Sequence, residues 1–222
     1  MKTNLKLSKV ATIDIGSNAI RLLISNVFEI KGVKYHTKNS FYRVQLRLGD
    51  DSFKYGTLSE KNYGKLKSTL KSFKLILEIN EIKKYLAYAT SAMRNLNNGE
   101  KILMSLEKET GIKVKIISGK KESEIVAKND ISHHIGKTKN YCFIDVGGGS
   151  TEVIIYKKNT FYKSKSFKIG GIRLINGLVT DSTWNDFKIW LETNATELKK
   201  LKIIGIGGNI NKIYKISGIK YT

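Results

Sequence analysis

Long hydrophobic runs are missing from this 222-residue chain. No stretch approaches about 18 apolar residues, so no membrane-spanning helix is expected. The opening residues, Met1-Lys2-Thr3-Asn4-Leu5-Lys6-Leu7, hold no long apolar region and do not read as a signal peptide. Cysteine occurs once, as Cys142 beside Phe143 and Ile144, which excludes an internal disulfide and fits a reducing, cytoplasmic setting. Proline is absent, against a typical ~5%, and nothing in the sequence explains this. His133 and His134 have no Cys or His partner at ligand spacing, so they read as a solvated helix face and not as a metal site. No low-complexity linker interrupts the chain, so two lobes, if present, should pack together through a helical connection.

Acidic residues are also scarce. Nineteen Asp and Glu face 40 Lys and Arg, for a net charge of +21, which favours a polyanionic partner such as polyphosphate, a nucleotide, nucleic acid or an anionic surface. Lysine-rich surfaces also serve solubility alone. Arginine is confined to Arg21, Arg43, Arg47, Arg94 and Arg173, four of them in or beside Gly- or Ser-containing motifs. Its planar fork grips paired phosphate oxygens in a way lysine cannot copy. An apolar content of 41% is enough for real cores, in one large domain or two small ones.

What the chain does have is a repeated hairpin. Ile13-Asp14-Ile15-Gly16-Ser17-Asn18 returns as Ile144-Asp145-Val146-Gly147-Gly148-Gly149-Ser150-Thr151-Glu152, without a gap, at an offset of 131 (145 − 14). Each copy reads as strand, glycine turn, strand, with a carboxylate at the end of the first strand. Turn amides can converge on an anion, and the carboxylate can hold a metal against it. In the first copy the candidates are Asp14 for a metal, and Gly16, Ser17, Asn18 and Arg21 for phosphate. In the second they are Asp145 and Glu152 flanking Gly147, Gly148, Gly149 and Ser150. Where Arg21 stands in the first copy, Glu152 stands in the second, so the first is suited to gripping phosphate and the second to holding metal.

Strands are expected at 10–15, 20–28, 33–38, 42–48, 84–90, 113–117, 141–145, 151–156, 161–169 and 201–205. Helices are expected from Ser59 to Ile79, from Asn98 to a stop at Gly111, from Ser118 to Ile135, and from a Thr183 cap to Lys200. Leu66, Leu70, Phe73 and Leu77 share one helix face and read as core. Alternating strands and helices in two hairpin-led halves indicate α/β architecture, with the cleft between lobes as the default site. Three further motifs stand at element ends. Glu122 lies in the first helical turn of Ser118-Gly119-Lys120-Lys121-Glu122, where a carboxylate is also an ordinary helix former. Ser91 and Arg94 lie in the polar turn Thr90-Ser91-Ala92-Met93-Arg94. Gly207 and Gly208 lie in Gly205-Ile206-Gly207-Gly208-Asn209, a turn entering a helix.

Together these segments, with Arg47-Leu48-Gly49, Thr110-Gly111 and Gly170-Gly171-Ile172-Arg173-Leu174, resemble the exopolyphosphatase/guanosine-pentaphosphate phosphatase family of the actin-like, Hsp70-like, sugar-kinase superfamily. They occur in family order across almost the whole chain. The resemblance implies two RNase-H-like lobes, placed here at residues 1–125 and 126–222, with the site between them. It implies hydrolysis of a terminal phosphoanhydride, with Mg²⁺ or another divalent cation as cofactor and polyphosphate or pppGpp as substrate. Glu122 matches the family's catalytic glutamate, the base for water; Asp145 and Glu152 match its acidic metal and catalytic positions; Asp14 matches the first-lobe acid and Arg94 a phosphate-contacting arginine. Two departures are minor: Ser123 where the family often has alanine, and Asn209 where it often has threonine. Family members continue past the Gly-Gly turn, so the second lobe is expected to be incomplete, with a sheet edge that invites homodimer pairing. A non-catalytic polyanion-binding module and a superfamily kinase are the competing functions; no membrane partner and no specific nucleic-acid partner are expected.

Overall fold

The computed structural model describes residues 6–30, 32–127, 139–158, 160–195 and 201–218. His133 and His134, the expected end of the third helix and the last residues before Lys200 lie outside them. The chain divides into two compact units, Met1–Ile116 and Ile117–Thr222. The boundary expected at 125/126 falls within helix α5 (Gly119–Ala127), which packs on strands of the second unit.

In the first unit, β1 (Lys6–Ile15), β2 (Ala19–Ile30), β3 (Val33–Gln45), β4 (Tyr85–Ala89) and β5 (Lys115–Ile116) form one sheet in the order β3-β2-β1-β4-β5. β1 pairs antiparallel with β2 and parallel with β4. The core is set by β1 and β2 at period two: Ala11, Ile13 and Ile15, then Ile20, Leu22 and Ile24, are buried on one face. Helix α2 (Glu60–Ile79) buries Leu66, Leu70, Phe73 and Leu77, the stripe expected from its spacing, and starts at Ser59, whose side chain accepts from the Asn62 amide. Helix α4 (Gly99–Thr110) ends at Gly111 with φ 70°, the left-handed turn that glycine takes without strain.

The second unit repeats the first four strands of that order. β6 (Asn140–Val146), β7 (Thr151–Lys157), β8 (Thr160–Phe167) and β9 (Leu201–Ile206) lie as β8-β7-β6-β9, again with the leading strand antiparallel to the next and parallel to the fourth. Both lobes are therefore α/β, as the duplicated hairpin implies, with the RNase-H-like strand order that the family resemblance implies. One face of this sheet, with Cys142, Val153, Ile155, Phe167 and Ile169, packs against Phe187, Trp190 and Leu191 of α7 (Asp181–Ala195). The other, with Tyr141, Phe143, Ile154 and Tyr156, packs against Val126 and Ala127 of α5. Burial pushes the Cys142 thiol up to about 11. Among the described residues no helix is long and apolar enough to cross a membrane.

Several expected elements differ. The strands expected at 33–38 and 42–48 are one strand, β3: the register steps from Ile24/Ser40 to Ser25/Lys38, so Asn39 is an extra residue in a bulge. As an edge strand with mostly exposed side chains, β3 tolerates the polar run that suggested a break. Residues 48–55 form helix α1 (Leu48–Tyr55), with Asp50 and Asp51 in its first turn and Gly56 at φ 67° closing it. Thr90 to Arg94 is not a simple turn but leads into the short helix α3 (Ser91–Asn95). Gly171–Ile175 forms another, α6. Thr180, not Thr183, opens α7: its Oγ1 accepts from the Thr183 amide at 3.3 Å and its carbonyl from the Trp184 amide at 3.1 Å. Trp184 is correspondingly exposed, while Trp190 joins the core.

Candidate active site

The two hairpins keep the gapless correspondence seen in the sequence. Asp14 stands opposite Arg21 across β1 and β2, and Asp145 stands opposite Glu152 across β6 and β7. The turns close alike, Gly16 N donating to Ala19 O at 3.1 Å and Gly147 N to Ser150 O at 2.9 Å. One physical difference follows from the paired residue. In the first unit Arg21 Nη1 meets Asp14 Oδ2 at 2.6 Å, so a cation and an anion hold each other at a half-exposed position. In the second, two carboxylates share one place in the ladder.

The first turn is anchored through its carbonyls. Ser17 O accepts from Gly49 N at 2.9 Å, and Asn18 O from Leu46 N and Arg47 N at 3.2 and 3.0 Å. Arg47, at φ 56°, spends its guanidinium on Asp50 at 2.7 Å. The β4 end is tied to the same hairpin, since Thr90 N donates to Ile15 O at 3.1 Å. Ser91 is buried and Arg94 half-buried on α3.

The second turn is held more tightly. Val146 O and Gly147 O accept from Asn209 Nδ2 at 2.8 and 3.0 Å. Gly147 O also accepts from Gly171 N, and Gly148 O from Ile172 N. Gly149 O accepts from the Nε of buried Arg173 at 2.9 Å. Every carbonyl from Val146 to Gly149 is thus taken by a donor from α6 or α8 (Gly207–Ser217). Close approach explains the glycines facing this turn. A Cβ on Gly170 would lie 2.5–2.6 Å from the Gly148 and Gly149 backbone, and one on Gly207, at φ 91°, would lie 2.3 Å from Asp145 Oδ1. Gly208 meets nothing within 4 Å. Arg173 and Asn209 carry this scaffolding; their side chains are buried or half-buried supports, a role that spacing alone does not disclose.

Three carboxylates gather on the α5 face of the second sheet. Asp145 and Glu152 share that face with Phe143 and Ile154 by strand register. Glu122 sits in the first turn of α5, whose start is capped by Ser118 Oγ accepting from Lys121 N at 3.1 Å. Glu152 is only 3% exposed. Burial pushes its carboxyl up to about 7; the Glu122 charge adds to this and the Asp145 charge adds less, while hydroxyls of Ser166 and Ser150 oppose it. Ser166 Oγ donates to Glu152 Oε1 at 2.8 Å. The alternating Lys-Ser-Lys-Ser of 163–166 is the one signal in the sequence that points to these serines, and it is uninformative without the strand register.

No group of three or more His, Cys, Asp or Glu stands at metal-holding geometry among the described residues. A hard cation nonetheless suits the donor set: Asp145 and Glu152 are oxygen ligands with an unfavourable mutual charge that a divalent ion relieves. Mg²⁺ is commonly held by one or two carboxylates, with waters and phosphate oxygens filling the other positions.

The Glu152 shift has a measurable consequence. Its folded value of about 7 lies above the ordinary 4.5, so the folded chain binds a proton between those values that the unfolded chain has released. Stability from the neutral acid is present below about 4.5 and is lost as pH rises through about 7. With a chelator present, the urea midpoint of Glu152→Gln should gain on that of the unsubstituted chain between pH 5 and pH 8. A gap that does not change with pH would show that Glu152 ionises without penalty.

The family model of the Ppx/GppA phosphatase family matches residues 27–200. A bifunctional 3-dehydroquinate synthase/phosphatase of Fusobacterium nucleatum is 33% identical over 216 residues, covering 89% of this chain and 32% of that protein. Exopolyphosphatase 1 of Mycobacterium tuberculosis is 30% identical over 148 residues, covering 65% of this chain and 41% of that one. The chain thus spans less than half the length of these curated relatives. Among solved structures, an exopolyphosphatase from Cytophaga hutchinsonii superposes with a TM-score of 0.78 at 25% identity, over 96% of this chain and 73% of that one. The Ppx/GppA family member of Aquifex aeolicus gives 0.69 at 25% identity, over 98% and 72%. A match that takes in much of both units, with a relative 33% identical over 89% of the chain, makes this chain a member of the Ppx/GppA phosphatase family.

Proposed function

We propose that this chain is a Mg²⁺-dependent phosphoanhydride hydrolase that releases terminal orthophosphate from inorganic polyphosphate. The observation that carries this is the buried Glu152, in register with Asp145 and under the charge of Glu122. A plain structural turn has no reason to bury one carboxylate under the charge of two others. Membership of a phosphatase family, and relatives named as exopolyphosphatases, support the reaction class.

Each part has a role that suits its chemistry. Transfer of a phosphoryl group needs positioning and charge neutralisation more than covalent help. Asp145 and Glu152 would hold Mg²⁺, which would supply that neutralisation. Glu122 accepts the proton of the attacking water and aims it at the terminal phosphorus. Arg21 and Arg94 offer paired N–H donors to phosphoryl oxygens. The first turn, whose Ser17 and Asn18 carbonyls are occupied by protein donors, and the Gly147–Ser150 turn, whose carbonyls are likewise taken, present amide N–H groups, the sign that suits an anion. Gly207 and Gly208 open α8, where the helix dipole favours the same charge.

The test is phosphate release from polyphosphate and, in parallel, from pppGpp, each with Mg²⁺ and with a chelator. Release from polyphosphate that stops on chelation is expected. Release from pppGpp alone would make the guanosine pentaphosphate activity the correct one. A folded sample that binds polyphosphate in a salt-sensitive way and releases nothing would make the chain a binding module.

A further inference from the structure

We infer that Ser164 and Ser166 of β8, together with Ser123 of α5, are positioning residues for the carboxylates Glu122 and Glu152. The inference rests on the hydrolase function proposed above.

Ser164 and Ser166 are two apart on a strand, so they share a face. Their register partners on β7 are Ile154 and Glu152. Ser166 Oγ donates to Glu152 Oε1 at 2.8 Å and fixes which way that carboxylate lies. Ser164 Oγ donates to Ser123 Oγ at 3.1 Å. A serine has one hydroxyl proton, and Ser123 gives its own to Lys120 O at 2.9 Å. Donation therefore runs one way, from Ser164 through Ser123 into the first turn of α5, the turn that carries Glu122. Ser123 is fully buried, so no water competes for this contact. The far end of α5 is pinned as well, by Tyr156 Oη donating to Ala127 O.

β8 thus holds both partners from one strand, Glu152 directly and Glu122 through the helix that carries it.

The experiment compares Ser123→Ala, Ser164→Ala, their double variant, Ser166→Ala and Ser166→Thr in the 222-residue chain. Readouts are kcat and KM for phosphate release from polyphosphate with Mg²⁺, and the thermal midpoint. Ser123→Ala and Ser164→Ala should each lower kcat about tenfold with KM unchanged, and the double variant should be no worse than either. Ser166→Ala should lower kcat by about the same factor, and Ser166→Thr should restore it. The inference is overturned if all variants keep kcat within twofold of the unsubstituted chain, or if only KM and the thermal midpoint move. An unsubstituted chain that is folded yet releases no phosphate overturns the hydrolase function itself, and the inference with it. An active one with indifferent variants overturns the inference alone.

Discussion

Replacing Glu122 by glutamine is expected to cut phosphate release by about 10²- to 10⁴-fold while the chain still folds and still binds polyphosphate. Glutamine keeps the size of the side chain and its place in the first turn of α5. It removes the group able to take a proton from water. A second readout comes from the neighbour: the Glu122 charge helps hold Glu152 up near 7, so in Glu122→Gln the Glu152 carboxyl should titrate lower. Carbonyl-carbon NMR of labelled glutamate measures that directly. Turnover that survives unchanged would remove Glu122 from the role of base. A Glu152 carboxyl that does not move would mean that the two groups do not interact.

The second large effect is expected at Gly170. Its backbone is extended, with φ −159°, so the constraint is space and not backbone strain. An added methyl would press on Gly148 O, Gly148 C and Gly149 N at once, all backbone atoms that cannot swing away. Gly170→Ala should therefore lower stability by about 3 kcal/mol, near the upper end of overpacking costs, and weaken phosphate release further by displacing the turn. Gly64→Ala is the natural control. Gly64 lies inside α2 with nothing within 4 Å of an added methyl. That substitution should raise stability by about 0.5–1 kcal/mol. Urea unfolding of both variants checks the pair. Equal stability for Gly170→Ala and the unsubstituted chain would mean that the glycine turn has room to shift.

The repeated hairpin was legible because it depends on local rules: an apolar run of period two, then glycine, then a second run. The offset that aligns Asp14 with Asp145 also aligns Arg21 with Glu152, and strand register preserves both pairs. The α2 core stripe was legible for the same reason. Edge position was not. β3 carries a polar run that looks like a break, and only its place at the margin of the sheet, with a bulge at Asn39, makes it one strand. The short helices α1, α3 and α6 have too few residues to show a period. At the candidate site, Asp145 and Glu152 stood out from their glycine motif and Glu122 only through the family resemblance, while what supports them could not be read. Arg173, one of only five arginines, serves a backbone carbonyl; Asn209 braces a turn more than sixty residues earlier; Ser164 and Ser166 matter only through a register that sequence does not reveal.

The parallel pairing of β6 with β9 has a consequence in time. β6 carries Asp145 near its end, and the strand that completes its second edge begins at Leu201, 61 residues after Asn140. At roughly 5–20 residues per second, a ribosome leaves that edge unpaired for about 3–12 seconds after β6 is made. α7, which covers Cys142, also arrives within that interval. Loss of the thiol's reactivity during synthesis should therefore date the docking of α7 on the second sheet.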